Sequence, residues 1–210
     1  MATRVCIIRH GETAWNQEQR IQGQTDIPIN QRGRIQAESV ALKAAQYKFK
    51  AIYSSDLSRA YETARLLFEQ AEHSVIRASQ LRERHFGIFQ GKLKEEIAHQ
   101  CPEGYSRYLK RDIHYDFECG ESILAFAKRS MAIFDELAAK HANQQIAVVC
   151  HAGLLDIMYR HVTGRSLESE RDFVIPNCAL NWFHHDGTDW HLDTWNDHLH
   201  LGSAVMDSVE

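Results

Sequence analysis

The sequence predicts an α/β fold of three layers: a mainly parallel central sheet between helices, with at least one antiparallel strand. Two observations predict it. Short apolar runs alternate with stretches of helical periodicity along most of the 210 residues, the pattern of strands joined by covering helices. Near the end, two such runs are separated only by a short turn containing Asp186-Gly187, a hairpin signal that reverses a strand.

The elements follow in order. Val5-Cys6-Ile7-Ile8 marks a buried strand over about residues 4–8, and a polar loop with Gly23 and Pro28 comes next. Asn30 suits the N-cap of a helix to about Ala45, with Ile35, Val40 and nearby alanines as its apolar stripe. Ala51–Ser54 reads as the second strand. Residues 57–70 read as a helix with Leu57, Tyr61, Ala64 and Phe68 on one face, and Val75–Ala78 as the third strand. From Lys92 to about Gly120 the pattern loosens. A short helix at about 93–100 stops near Pro102, and the remainder is polar and aromatic. This stretch, about 92–120, is the expected lid or insertion of one domain spanning 1–210. A helix over about 121–141, a strand at 146–150, a helix at 153–162 and strands near 178–185 and 190–195 complete the chain.

A chain of this length buries roughly 70% of its unfolded surface and needs neither disulfide nor metal to fold. The net charge of −4 excludes a global basic field for nucleic acid, so any anion site is a local cluster of Arg and His. No apolar run approaches the ~18 residues of a membrane span. The N-terminus enters a strand directly, with no secretory signal. Five scattered cysteines without C-x-x-C fit reduced thiols in a cytoplasmic setting. Of the 13 histidines, five lie near the C-terminus. His198 and His200 would share a strand face, but nothing nearby completes a ligand set, so no metal is expected.

Arg9-His10-Gly11-Glu12 follows the first strand directly. His10 is the candidate nucleophile, since neutral imidazole attacks phosphorus near pH 7 without an activating base. Arg9 and Arg59 are candidate phosphate clamps, because a guanidinium is permanently charged and matches two oxygens. Arg59 lies in Ser54–Ala60, where a strand gives way to a helix. His151, in Cys150-His151-Ala152-Gly153, repeats that strand-to-helix junction and is placed to donate to a phosphate oxygen. Ligands of such sheets bind at the carboxyl ends of strands, so these segments are expected to meet. Glu83, in Leu81–Gly87, is the candidate proton donor; a salt bridge to Arg82 or Arg84 is its bland alternative. A carboxyl beside a phosphate dianion holds its proton more firmly. Cys101 and Arg107 fit C-x5-R by chance, because the cysteine follows a helix rather than a strand.

Together these residues resemble the histidine phosphatase superfamily, in its phosphoglycerate mutase-like branch. Four blocks carry the resemblance: Arg9–Thr13 with Trp15-Asn16; Gln22-Gly23, Asp26–Pro28, Gly33 and Gln36-Ala37; Ser54–Ala60 with Glu62–Ala64; and Leu81–Glu83, Phe86-Gly87, Gly120–Ser122 and His151–Gly153. The resemblance implies a phosphohistidine on His10, with Arg9, Arg59 and His151 around the phosphoryl group. It adds phosphate contacts from Asn16, Gln22, Gly23 and Ala152, makes Glu83 the acid and then the base for water, and implies no metal or other cofactor. The expected activity is a phosphomonoesterase acting on small phosphorylated metabolites. The alternative is a phosphoglycerate mutase-type phosphotransferase. Mutases of the family carry a longer insertion with paired arginines and a proline-rich turn, whereas this chain has Lys110-Arg111 and no proline between Pro102 and Pro176. Lys92, Lys94, Arg107, Lys110 and Arg111 are candidate contacts for a second anionic group, with solvated surface as the alternative. The expected partner is a small-molecule phosphomonoester, not nucleic acid or membrane. The sequence sets no oligomeric state, a dimer being one option.

Overall fold

The computed structural model describes residues 2–69 and 74–202. The elements are β1 (Thr3–Arg9), α1 (Ala14–Gln17), α2 (Gln31–Ala44), β2 (Ala51–Ser54), α3 (Ser58–Leu67), β3 (Val75–Arg77), α4 (Lys94–Gln100), α5 (Pro102–Leu109), α6 (Ile123–Lys140), β4 (Gln145–Cys150), α7 (Ala152–Thr163), β5 (Leu180–His185) and β6 (Trp190–Asp197). The strands form one sheet of order β3-β2-β4-β1-β5-β6. β3, β2, β4 and β1 are parallel, and β5 runs against both β1 and β6. Three layers around a mostly parallel sheet, with one reversed strand, match the predicted fold class.

β1 shows why its sequence is apolar throughout. Val5 and Ile7 belong to the cluster covered by α6 and α7, while Cys6 and Ile8 belong to the cluster covered by α2 and α3. Both faces are buried, so the strand reads as a continuous run rather than an alternation. A third, smaller cluster of Phe89, Ile97, Tyr115 and Phe117 lies outside those two.

Three expectations are corrected. Residues 102–109 form a helix, α5, in a stretch whose sequence gives no second helix, only polar and aromatic residues. Pro102 ends one helix but sits in the first turn of the next, where its missing N–H costs nothing. β5 begins at Leu180 rather than 178, because Cys178 has φ of +59° and cannot lie in a strand. β6 ends at Asp197, so His198 and His200 do not share a strand face; Leu199–Leu201 is a single helical turn. The short α1 was also unforeseen. It is held by Thr13 and Asn16 in a reciprocal cap. The helix expected over 57–70 runs from Ser58 to Leu67, and residue 70 lies outside the described residues.

Parallel pairing aligns the strand ends. The N–H of His10 donates to Cys150 O at 3.0 Å, and that of Ser55 donates to Val149 O at 3.0 Å. The segments leaving β1, β2 and β4 therefore emerge side by side. The loop after β1 is pressed onto the first turn of α2: a Cβ on Gly11 would lie 2.5 Å from Gly33 O, and one on Gly33 would lie 2.2 Å from Glu12 O. Gly11 thus makes room for Gly33. The Gly33→Ala change should destabilise the fold by about 1–3 kcal/mol through overpacking, although helix propensity alone favours Ala by ~1 kcal/mol. Urea denaturation checks this; a more stable variant would refute the close approach.

Candidate active site

β1 delivers Arg9 and His10 to this edge, α3 delivers Arg59, and the β4–α7 junction delivers His151. The rings of His10 and His151 are 5.2 Å apart between centroids and inclined at 60°. Hydrogen bonds set both tautomers. His10 Nδ1 lies 2.7 Å from Gly11 O, which only accepts, so Nδ1 carries the proton and Nε2 the lone pair. Arg59 Nε, which only donates, lies 3.3 Å from His151 Nδ1. His151 Nδ1 therefore accepts, and the neutral ring carries its proton on Nε2. That Nε2 is buried without a hydrogen-bond partner among the described residues, a costly arrangement unless a ligand completes it.

Burial, then the charges of Arg59 and Arg9, lowers the His10 pKa well below its usual value. Burial, then Arg59, His10 and Arg9, does the same to His151. Both rings are neutral near pH 7. Arg59 is only 1% exposed, and burial brings its pKa down to about 10, which leaves it charged. Its Nη1 donates to Thr25 O at 2.9 Å and its Nη2 to Gly23 O at 2.6 Å. The guanidinium is no solvated surface group; it ties the Gly23 loop to His151. Arg9 Nη1 donates to Ile175 O at 2.6 Å.

Glu83 does not pair with its arginine neighbours. Arg82 bonds Asp56 at 2.6–2.7 Å, and Arg84 donates to Glu121 O and Tyr115 O. The Glu83 carboxylate instead accepts from Arg84 N at 2.8 Å and Gly153 N at 3.0 Å. Gly153 allows this closeness, since a Cβ there would lie 2.1 Å from Glu83 Oε1. The carboxylate therefore stands two residues along the backbone from His151.

The remaining predicted positions divide. Gly23, with φ of +55°, is packed against Gln90 and its carbonyl serves Arg59. Gln22 Oε1 is buried without a hydrogen-bond partner among the described residues. Asn16 Oδ1 accepts from the N–H and hydroxyl of Thr13, which orients its amide. Ala152 opens α7 beside His151. A cavity of about 450 Å³ adjoins the site, lined by residues that include Glu83, Ala152, Gly153, Arg84, Arg111 and Arg171. Of the five insertion cations named from sequence, Arg111 alone lines this cavity, and Asp156 pairs it at 2.9 Å. Arg107 is paired with Asp112 at 2.7 Å, and Cys101 lies between α4 and α5 rather than after a strand, so the C-x5-R spacing forms no anion loop.

A profile of the histidine phosphatase superfamily (branch 1) matches residues 5–198. A metal-independent phosphoserine phosphatase of Arabidopsis thaliana is 35% identical, covering 96% of this chain and 84% of that protein. Phosphoglycerate mutase-like protein 4 of the same organism is 34% identical, covering 94% and 86%. The crystal structure of a mutant phosphoserine phosphatase from Entamoeba histolytica, in complex with phosphoserine, superposes with a TM-score of 0.85 at 28% identity, covering 95% of this chain and 99% of that one. The chain belongs to the histidine phosphatase superfamily. Mutase-like names occur among its relatives, but a metal-independent, histidine-type phosphatase acting on phosphomonoesters fits them best.

For this histidine phosphatase, sequence reasoning missed the residues that brace the site. Thr63 Oγ1 accepts from Gly11 N at 2.9 Å and donates to Arg59 O at 2.6 Å, linking the segments that carry His10 and Arg59. It stands one helical turn after Arg59, which is a usable signal. Asn177 donates to His10 O; nothing local in the sequence marks it. Among the described residues no group of three His, Cys, Asp or Glu is placed to hold a metal. His184 and His191 lie beside Asp193 and Asp186 instead.

The buried imidazoles make stability depend on pH. Their folded pKa values lie below 6.5, so in acid the unfolded chain binds more protons than the folded one. Their stabilising effect is complete above pH ~6.5 and falls as the pH drops below it. Thermal midpoints from pH 8 to 5 should decline on the acid side, and His151→Asn should flatten that decline. An unchanged slope would show that His151 is not held neutral.

Proposed function

We propose that this phosphatase works by a two-step displacement through a phosphohistidine on His10. The observation that carries the proposal is the pair of buried, tautomer-set imidazoles: one presents a lone pair and the other an N–H unbonded among the described residues. His10 Nε2 attacks phosphorus, the P–O ester bond breaks, and Glu83 delivers its proton to the departing alkoxide. Water then gives a proton to the Glu83 carboxylate and attacks phosphorus. The N–P bond breaks, releasing inorganic phosphate and free His10. Arg9, Arg59 and His151 Nε2–H stabilise the non-bridging oxygens in both transfers, and Asn16, Gln22, Gly23 and Ala152 add polar contacts. Positioning and electrostatics of this kind are most of what phosphoryl transfer requires.

The chain is read as one domain over 1–210, with residues 92–120 as an insertion walling the cavity. The alcohol part of the ester occupies that cavity. Arg84, 7% exposed and bonded only to carbonyls, and Arg171, which has no ion pair among the described residues, favour an ester bearing a second anionic group. The similarity to phosphoserine phosphatases supports a small phosphorylated hydroxy acid such as phosphoserine. A mutase reading is weaker, because Asp156 already neutralises Arg111. Five free cysteines fit a reducing, cytoplasmic setting. No helix of the described residues is long and apolar enough to cross a membrane.

His10→Ala should abolish turnover and the acid-labile phosphoenzyme trapped by rapid quench; an unaltered rate would remove the mechanism. Glu83→Gln should lower kcat/KM, which reports the transfer to His10, by about 10²–10⁴-fold for alkyl phosphates and much less for p-nitrophenyl phosphate, because its leaving group needs no proton. Arg171→Ala should raise KM for phosphoserine with kcat little changed, while KM for p-nitrophenyl phosphate stays constant. Equal effects on both substrates would place the second anion elsewhere.

A further inference from the structure

We propose that Arg129, held by Glu121, is the positioning residue of the proton donor: it fixes the backbone from which Glu83 reaches the leaving oxygen. The inference rests on the reading of Glu83 as the acid. Glu83 lies in an irregular stretch between the helical turns Ser79–Leu81 and Gly87–Phe89. No strand ladder or α-helix holds it.

Arg129, on α6, supplies that restraint. Its Nη1 donates to Gln80 O at 2.7 Å and Arg82 O at 2.9 Å, and its Nη2 donates to Glu83 O at 3.3 Å. Nε and Nη2 also hold the two carboxylate oxygens of Glu121 at 2.8 Å each. All five N–H groups of the guanidinium are thus engaged. Glu121 then extends the brace. Its Oε2 accepts from His85 N at 2.9 Å, its backbone N donates to His85 O at 2.8 Å, and its carbonyl accepts from Arg84 Nε at 2.8 Å. Gln24 Nε2 adds a second donor to Glu83 O at 3.0 Å. Burial pushes the Glu121 carboxyl up, but its bonds with Arg129 and His85 outweigh this and hold it below the usual range. The same helix supports the other side of the acid: the Phe126 ring packs on Gly153, whose N–H holds Glu83 Oε2. Arg129 itself does not line the cavity, so it acts through Glu83.

Lysine cannot reproduce this. It keeps the charge but offers three donors from one atom, not a fork spanning three carbonyls and a carboxylate. Misplacing a reacting group by about 1 Å costs on the order of 10²-fold. Arg129→Lys should therefore lower kcat/KM, which reports the transfer to His10 and not the later attack by water, by about 10–100-fold for phosphoserine or glycerol phosphate and by less than about 3-fold for p-nitrophenyl phosphate. In a Glu83→Gln background, Arg129→Lys should add nothing, because the two act on one step. If Arg129→Lys does not fold, Glu121→Gln, which keeps the shape and loses the charge, should show the same split between substrates. Equal loss of kcat/KM for both esters, or full additivity with Glu83→Gln, would overturn the positioning role while leaving Glu83 as the acid. A Glu83→Gln enzyme without leaving-group dependence would remove the acid role and this inference with it.

Discussion

The hydrogen bond from Arg59 Nε to His151 Nδ1 is the contact on which the site depends. It settles which nitrogen of His151 carries the proton, and so turns Nε2 into a donor. It also places a permanent charge beside two buried rings, which, added to their burial, keeps both neutral. Burying a guanidinium is unfavourable unless its donors are met. Here two of the groups that meet them are carbonyls of the Gly23–Thr25 loop. The arrangement leaves local positive charge and an N–H unbonded among the described residues, in a protein whose overall charge is negative. A phosphate dianion would answer both.

Close backbone approach is the second condition. Gly11 and Gly33 let the loop after β1 settle on α2, and Thr63 ties that loop to α3. Gly153 lets Glu83 reach the start of α7. Each glycine stands where a Cβ would strike atoms of a facing segment. Their value lies in letting distant segments touch, more than in the turns they make.

The stretch proposed as an insertion contributes to the cavity beside the site. Residues 94–109 form two helices over a small aromatic cluster separate from the sheet's own core. Tyr108 and Arg111, at its end, line the cavity together with Phe126 of α6 and Phe173 from the segment after α7. With Glu83–Phe86 and Ala152–Ile157 added, the wall is built from five separate stretches of chain.

The sequence by itself determined the layered fold and the strand ends that carry His10 and His151. Apolar periodicity and strand-to-helix junctions are local, and a chemistry-bearing residue at such a junction is legible without coordinates. Local reading failed where one residue serves two neighbours: Pro102 was seen as an end and not also as a beginning. Tertiary structure alone decided which ring nitrogens carry protons, and that Glu83 bonds backbone rather than Arg82 or Arg84. It alone tied Arg111 to Asp156 and set Arg129 behind Glu83. These outcomes depend on hydrogen-bond partners far apart in the chain, and charge pairing at such range leaves no periodic trace in a single sequence.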